Sequence, residues 1–82
     1  MYDEKLLEII SILNDIKEDP VTPKNIKLKI DNAVLVLSEE GSDVSVKVNK
    51  SIQELDEVSE DQNVPSYIRT QIWRIVSDLE LL

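Results

Sequence analysis

Apolar residues recur at three- and four-residue spacing in four separate stretches of the chain, the period of one helical face. The first stretch, residues 3–18, carries Leu6, Ile9, Ile10, Leu13 and Ile16, with Tyr2 just ahead and Leu7 and Ile12 widening the face. Asp3 or Glu4 stands where a cap or first-turn acid is favoured. Asp19-Pro20-Val21-Thr22-Pro23 ends this helix, because neither proline can continue the backbone ladder. A second helix is expected to start at Thr22-Pro23, a hydroxyl N-cap followed by proline at the first helical position. Its stripe is Ile26, Ile30, Ala33, Val34 and Leu37, and Gly41 follows where a left-handed residue is wanted. Ser42 or Asp43 can cap a third helix with the stripe Val44, Val48, Ile52, Leu55 and Val58. Its valines lower the intrinsic propensity, so packing must hold it. After Asp61-Gln62-Asn63-Val64-Pro65, with Asn63 as candidate cap, a fourth helix carries Ile68, Ile72, Ile75, Val76 and Leu79.

The pattern repeats. Residues 13–37 align without a gap on residues 55–79 at an offset of 42, with Leu13/Leu55, Glu18/Glu60, Asp19/Asp61, Pro23/Pro65, Ile26/Ile68, Ile30/Ile72, Val34/Val76 and Leu37/Leu79 identical. Ile16/Val58 and Lys27/Arg69 are chemically equivalent pairs. A fixed period of this size describes one supersecondary unit used twice. Short links favour antiparallel neighbours, so each unit reads as a helical hairpin. The expectation is one all-α domain over residues 1–82, a four-helix bundle of two duplicated hairpins spanning about residues 2–40 and 44–82. Two stacked HEAT-like repeats are the alternative, disfavoured because stacked repeats usually need about three or more units.

Charge and composition narrow the function classes. The net charge of −8 disfavours nucleic acid and anionic membranes, both of which draw on Lys and Arg. The charge is uneven: residues 1–22 and 41–62 carry −4 each, and residues 23–40 and 63–82 carry none. The chain has no cysteine, no histidine and one glycine. The commonest general base, the commonest metal ligand and the thiol nucleophile are missing, and no glycine-rich phosphate loop can form. No serine has an obvious activating base. A non-catalytic protein without a cofactor is expected. No apolar run approaches the roughly 18 to 20 residues of a membrane span, and the acidic start lacks a cationic leader region, so a cytoplasmic location is expected.

The C-terminal stretch 61–80, DQNVPSYIRTQIWRIVSDLE, resembles the closing signature of an uncharacterised archaeal family, Uncharacterised Protein Family 0147. That signature runs D-x-N-x-P, then Arg, then I-W-x-I-V-S-x-L-E. It is matched here at Asp61, Asn63, Pro65, Arg69, Ile72, Trp73, Ile75, Val76, Ser77, Leu79 and Glu80. Residues 21–27 are similar to the family's V-P-R-N-I-R segment, with an extra Thr22 and with Lys24 and Lys27 in place of arginine. The resemblance implies a small helical bundle from an archaeon and supplies no activity.

Two groups of residues stand out as candidates. Leu28 and Leu35 fall almost opposite the core stripe of the second helix, and their repeat counterparts are Thr70 and Ser77. Trp73, the only tryptophan, lies on the flank of its stripe and should be partly exposed. Tryptophan is enriched at binding hot spots, and paired surface leucines suggest a homodimer or another protein partner. Leu28, Leu35 and Trp73 are therefore the candidate interaction residues. Covering the bundle seam is the structural alternative for Trp73.

The second group is a turn clamp of Asp19, Lys27, Asp61 and Arg69. The aspartates are expected to bond the free N–H groups that open the second and fourth helices. Positive charge in a first helical turn is mildly unfavourable, so Lys27 and Arg69 are expected to pair with those aspartates or with acids of the preceding helix. Asp15, Glu18, Asp19, Asp56, Glu57, Glu60 and Asp61 should gather at one end, which leaves cation or ligand binding as the alternative function.

Overall fold

The computed structural model describes residues 4–82. Tyr2 and Asp3 lie outside that range. Four helices follow one another: α1 (Glu4–Glu18), α2 (Lys24–Ser38), α3 (Val44–Glu60) and α4 (Ser66–Glu80). Neighbours in sequence pack together, and α4 returns against α1 to close the ring. The diagonal pairs, α1 with α3 and α2 with α4, do not meet among the described residues. That order is an up-and-down bundle. A HEAT-like stack would set α1 against α3 instead.

The core is the set of stripes the periodicity marks: Ile9, Leu13, Ile16, Ile26, Ile30, Ala33, Leu37, Leu55, Val58, Ile68, Ile72, Ile75 and Leu79, with Val64 from the last turn. Leu6, Ile10, Ile12, Val34, Val48, Ile52 and Val76 pack around its edge. Two expected members are exposed, Leu7 and Val44. Leu7 sits half a turn away from Ile9 and faces outward. Val44 opens α3, which at 17 residues is two longer than α2 and α4, and Val46 beside it is exposed as well. Ser51 takes a core position that the apolar pattern did not assign. It is fully buried, and its hydroxyl donates to the Val48 carbonyl at 3.0 Å.

The connections α1–α2 and α3–α4 share backbone hydrogen bonds and proline dihedrals at positions 42 residues apart. Asp19 and Asp61 each donate their backbone N–H to the carbonyl three residues back, Ile16 or Val58, at 3.2 Å. Pro23 and Pro65 sit at the cap positions with φ −59 and ψ 151 or 150. Thr22 is therefore not the N-cap of α2. It is buried, so its hydroxyl needs an internal partner, and it donates to the Ile16 carbonyl at 2.7 Å. Asn63 does not cap α4 either; its N–H donates to Asp61 Oδ1 inside the turn at 2.8 Å. Asp43 does cap α3, accepting from Ser45 N at 2.9 Å and from Ser45 Oγ at 2.8 Å. Gly41, in the α2–α3 connection, has φ 82, a left-handed conformation that only glycine takes freely.

Candidate functional site

α2 buries Ile26, Ile30, Ala33 and Leu37, so its other side must face outward. Leu28 and Leu35 stand there, 63% and 66% exposed and two turns apart on one line. At about 1.5 Å of rise per residue they are separated by roughly 10 Å along the axis. Asn32 stands between them, and Lys24 and Glu39 lie at the two ends of the same face, all exposed.

Trp73 is 56% exposed on α4. With Thr70, Arg74, Ser77 and Asp78 it lines a shallow depression along that helix. Position 73 corresponds to Asp31 of α2, whose carboxylate pairs with Lys17 of α1 at 2.8 Å. An ion pair thus holds one flank of the first hairpin, and an indole stands at the matching position of the second. The three candidates do not form one patch, because α2 and α4 occupy opposite corners of the ring.

The polar turns at the other candidate site are already engaged. Asp19 Oδ1 accepts from Val21 N at 3.0 Å, within its own turn, as Asp61 Oδ1 does from Asn63. Neither aspartate bonds an opening N–H of a helix, contrary to the sequence expectation. An aspartate carboxylate readily closes on the N–H two residues ahead, and the prolines already fix the helix starts. The second oxygens cross between hairpins. Asp19 Oδ2 accepts from Tyr67 Oη at 2.9 Å, and Asp61 Oδ2 from Asn25 Nδ2 at 3.4 Å. The hydrogen bond to Asp19, followed by partial desolvation, holds the Tyr67 phenol above its ordinary range.

Arg69 clamps its turn through backbone, not through a carboxylate. Nε donates to the Ser59 carbonyl at 2.8 Å, and Nη2 to the carbonyls of Asp61 at 3.0 Å and Val64 at 3.3 Å. The Ser59 carbonyl, in the last turn of α3, lacks a helical partner and carries negative dipole charge, and the guanidinium fork reaches on from it to the turn carbonyls of Asp61 and Val64. The Lys27 ammonium, at the matching position, makes no hydrogen bond or ion pair among the described residues. A single ammonium lacks the planar fork that reaches several carbonyls at once. In the first turn the Thr22 hydroxyl does part of that work.

The remaining seams are held by lysine. Lys29 of α2 meets Glu57 of α3 at 2.7 Å, and that hydrogen bond raises the Lys29 ammonium above its ordinary value. Lys5 of α1 meets Asp78 of α4 at 3.5 Å. Among the described residues no group of three acids is placed to hold a metal ion, and no helix is long and apolar enough to cross a membrane.

Comparison with known proteins gives a consistent picture. The model of an uncharacterised protein family, UPF0147, matches residues 1–82. A UPF0147 protein of Methanocaldococcus jannaschii is 38% identical over 78 residues, covering 95% of this chain and 84% of its own. One from Thermococcus kodakarensis is 36% identical over 78 residues, covering 94% of each. The crystal structure of a protein of unknown function superimposes with a TM-score of 0.91 at 46% identity, covering 96% of this chain and 90% of that one. None of these relatives carries an assigned activity.

Proposed function

The chain belongs to the uncharacterised protein family UPF0147, and from that premise we propose that it is a non-catalytic protein-interaction module. Its contact surface is the outer face of α2, with Trp73 of α4 as a second, separate contact. The exposure of Leu28 and Leu35 carries this reading. The core stripe of α2 is complete without them, and the corresponding positions of α4 hold Thr70 and Ser77. Packing inside the bundle supplies no reason for leucine at 28 and 35, whereas a contact outside it does. Single exposed leucines are ordinary, but two in line on one helix form a seam that a partner can cover.

The reading is tested by capture from the native cell with wild-type protein as bait beside a Leu28→Glu/Leu35→Glu bait, both checked for helicity. Proteins held by the wild type and lost by the folded variant are the expected result. Identical captured sets from a protein that is also monomeric in solution would overturn it.

A further inference from the structure

We propose that the outer face of α2 is a self-association surface, on which a second copy of this chain lays its own α2 antiparallel to the first. The proposal rests on the interaction reading above and names the partner.

The face is complementary to itself when reversed. Lys24, Leu28, Leu35 and Glu39 follow one another along it at spacings of four, seven and four. A two-fold axis passing between Asp31 and Asn32 places Leu28 on Leu35 of the other copy and Lys24 on Glu39. Lys24 is exposed and forms no ion pair among the described residues, and the Glu39 carboxylate is exposed beside Ser42. A parallel arrangement would set Lys24 against its own copy, and like charges facing each other are repulsive.

The charge along α2 points the same way. Lys24, Lys27 and Lys29 crowd its first turns, and Glu39, Glu40 and Asp43 follow its end. No acid stands in its first turn and no base in its last. Both placements run against the helix dipole, which favours acids at the start and bases at the end. An antiparallel second copy reverses the mismatch, bringing its acidic end to the basic start. The stretches 1–22 and 41–62, at −4 each, repel their own copies, whereas α2 lies in a stretch without net charge and can meet another copy with opposite charges in contact.

The size of the contact sets its strength. One face of a 15-residue helix is about 22 Å long and buries on the order of 400 Å² per copy, below the roughly 800 Å² of a stable complex. The dimer is therefore of the weak, concentration-dependent kind.

The test is charge exchange, read by sedimentation velocity on the full chain from about 5 µM to about 500 µM, the range in which weak contacts of this area associate. Lys24→Glu and Glu39→Lys should each raise the dissociation constant several-fold, and the double variant should restore it. Within one molecule the two sites are about 22 Å apart, beyond the roughly 8 to 10 Å screening length, so restoration acts across the pair of chains. Amide exchange on the wild type gives a readout that needs no variant, with protection rising with concentration at α2 and not at α4. A wild type that stays monomeric throughout, a double variant that restores nothing, or protection confined to another helix overturns the proposal. Monomeric protein whose Leu28→Glu/Leu35→Glu bait still loses its captured proteins sinks the self-pairing and leaves the interaction reading standing. A bait variant that loses nothing, together with a wild type that stays monomeric, sinks the interaction reading as well.

Discussion

Tyr67, one residue into α4, donates its phenol hydrogen to Asp19 in the turn between α1 and α2, at 2.9 Å across 48 residues of sequence. Forty-two residues earlier, in Tyr67's place, Asn25 reaches Asp61 in the other turn. Each hairpin thus holds the turn of the other. The two contacts are unequal, because an amide at 3.4 Å is a marginal hydrogen bond. Tyr67→Phe should lower stability slightly at neutral pH. The phenol is raised by its bond to Asp19, so this contribution is complete below the ordinary phenol range and is lost as pH rises through the raised value. The stability gap between wild type and Tyr67→Phe should close in alkaline solution. Thermal melts across that range, with phenolate absorbance followed in parallel, check it; a gap that does not change with pH refutes it.

Arg69 and Lys27 occupy matching places and should respond very differently to substitution. The Arg69 guanidinium bonds three backbone carbonyls, while the Lys27 ammonium bonds none among the described residues. Arg69→Met should cost about 1 to 3 kcal/mol, the range for charge-assisted hydrogen bonds and for leaving a part-buried carbonyl without its partner. Lys27→Met should stay within about 0.5 kcal/mol of the parent, as surface changes do. Urea melts of the two variants measure the contrast, and equal costs would contradict the geometry.

Ile30 and Ile72 are fully buried at matching positions of α2 and α4. Ile30→Ala and Ile72→Ala should each cost about 2 to 5 kcal/mol in denaturant melts, as large-to-small core changes do. Leu28→Ala, on the opposite side of the same helix as Ile30, should stay within about 0.5 kcal/mol. A cost for Leu28→Ala comparable to the isoleucines would return that face to the core.

Those isoleucines were readable because a helix repeats its buried face every 3.6 residues, and the pattern keeps its phase from Ile26 to Leu37 and from Ile68 to Leu79. Leu7 and Val44 were misassigned because apolarity alone does not say where neighbouring helices end. Val44 lies on the first turn of α3, which is longer than α2 and α4. Ser51 went unseen because it is polar, yet carrying the 42-residue offset further back sets it on Ile9, a core residue. The turn chemistry was hidden for a different reason. Asp19 and Asp61 have several donors within reach, and only the packed bundle brings Tyr67 and Asn25 to them. Leu28, Leu35 and Trp73 could be placed on outward faces from spacing alone, but what covers them is a property of the partner and not of this chain's own periodicity.

The acidic ends of the hairpins should not respond specifically to divalent cations. Asp19 and Asp61 already accept bonds from turn N–H groups and from the opposite hairpin. A cation would have to break these before gaining the six or so oxygens that calcium takes. Calcium or magnesium should move the melting temperature no further than sodium at matched ionic strength. A rise specific to a divalent ion would reopen cation binding as the function.

Asp43 gives the clearest acid-side prediction. Its carboxylate accepts from both the hydroxyl and the N–H of Ser45, and those bonds, the hydroxyl first, hold it below the ordinary carboxylate value. A depressed group contributes stability above its unfolded value and loses it as pH falls through the folded one. Asn caps a helix about as well as Asp but does not titrate, so Asp43→Asn isolates the ionisation. Near neutral pH the wild type should be the more stable of the two, because it adds negative charge at the positive end of α3. As pH falls through and below the carboxylate range, that advantage should shrink and vanish, since the protonated acid keeps only a neutral acceptor. Every other carboxylate is common to both proteins, so the difference between their melting temperatures reports Asp43 alone. If that difference stays constant down to strongly acidic pH, Asp43 does not cap α3 as an anion, and the start of that helix must be held by packing instead.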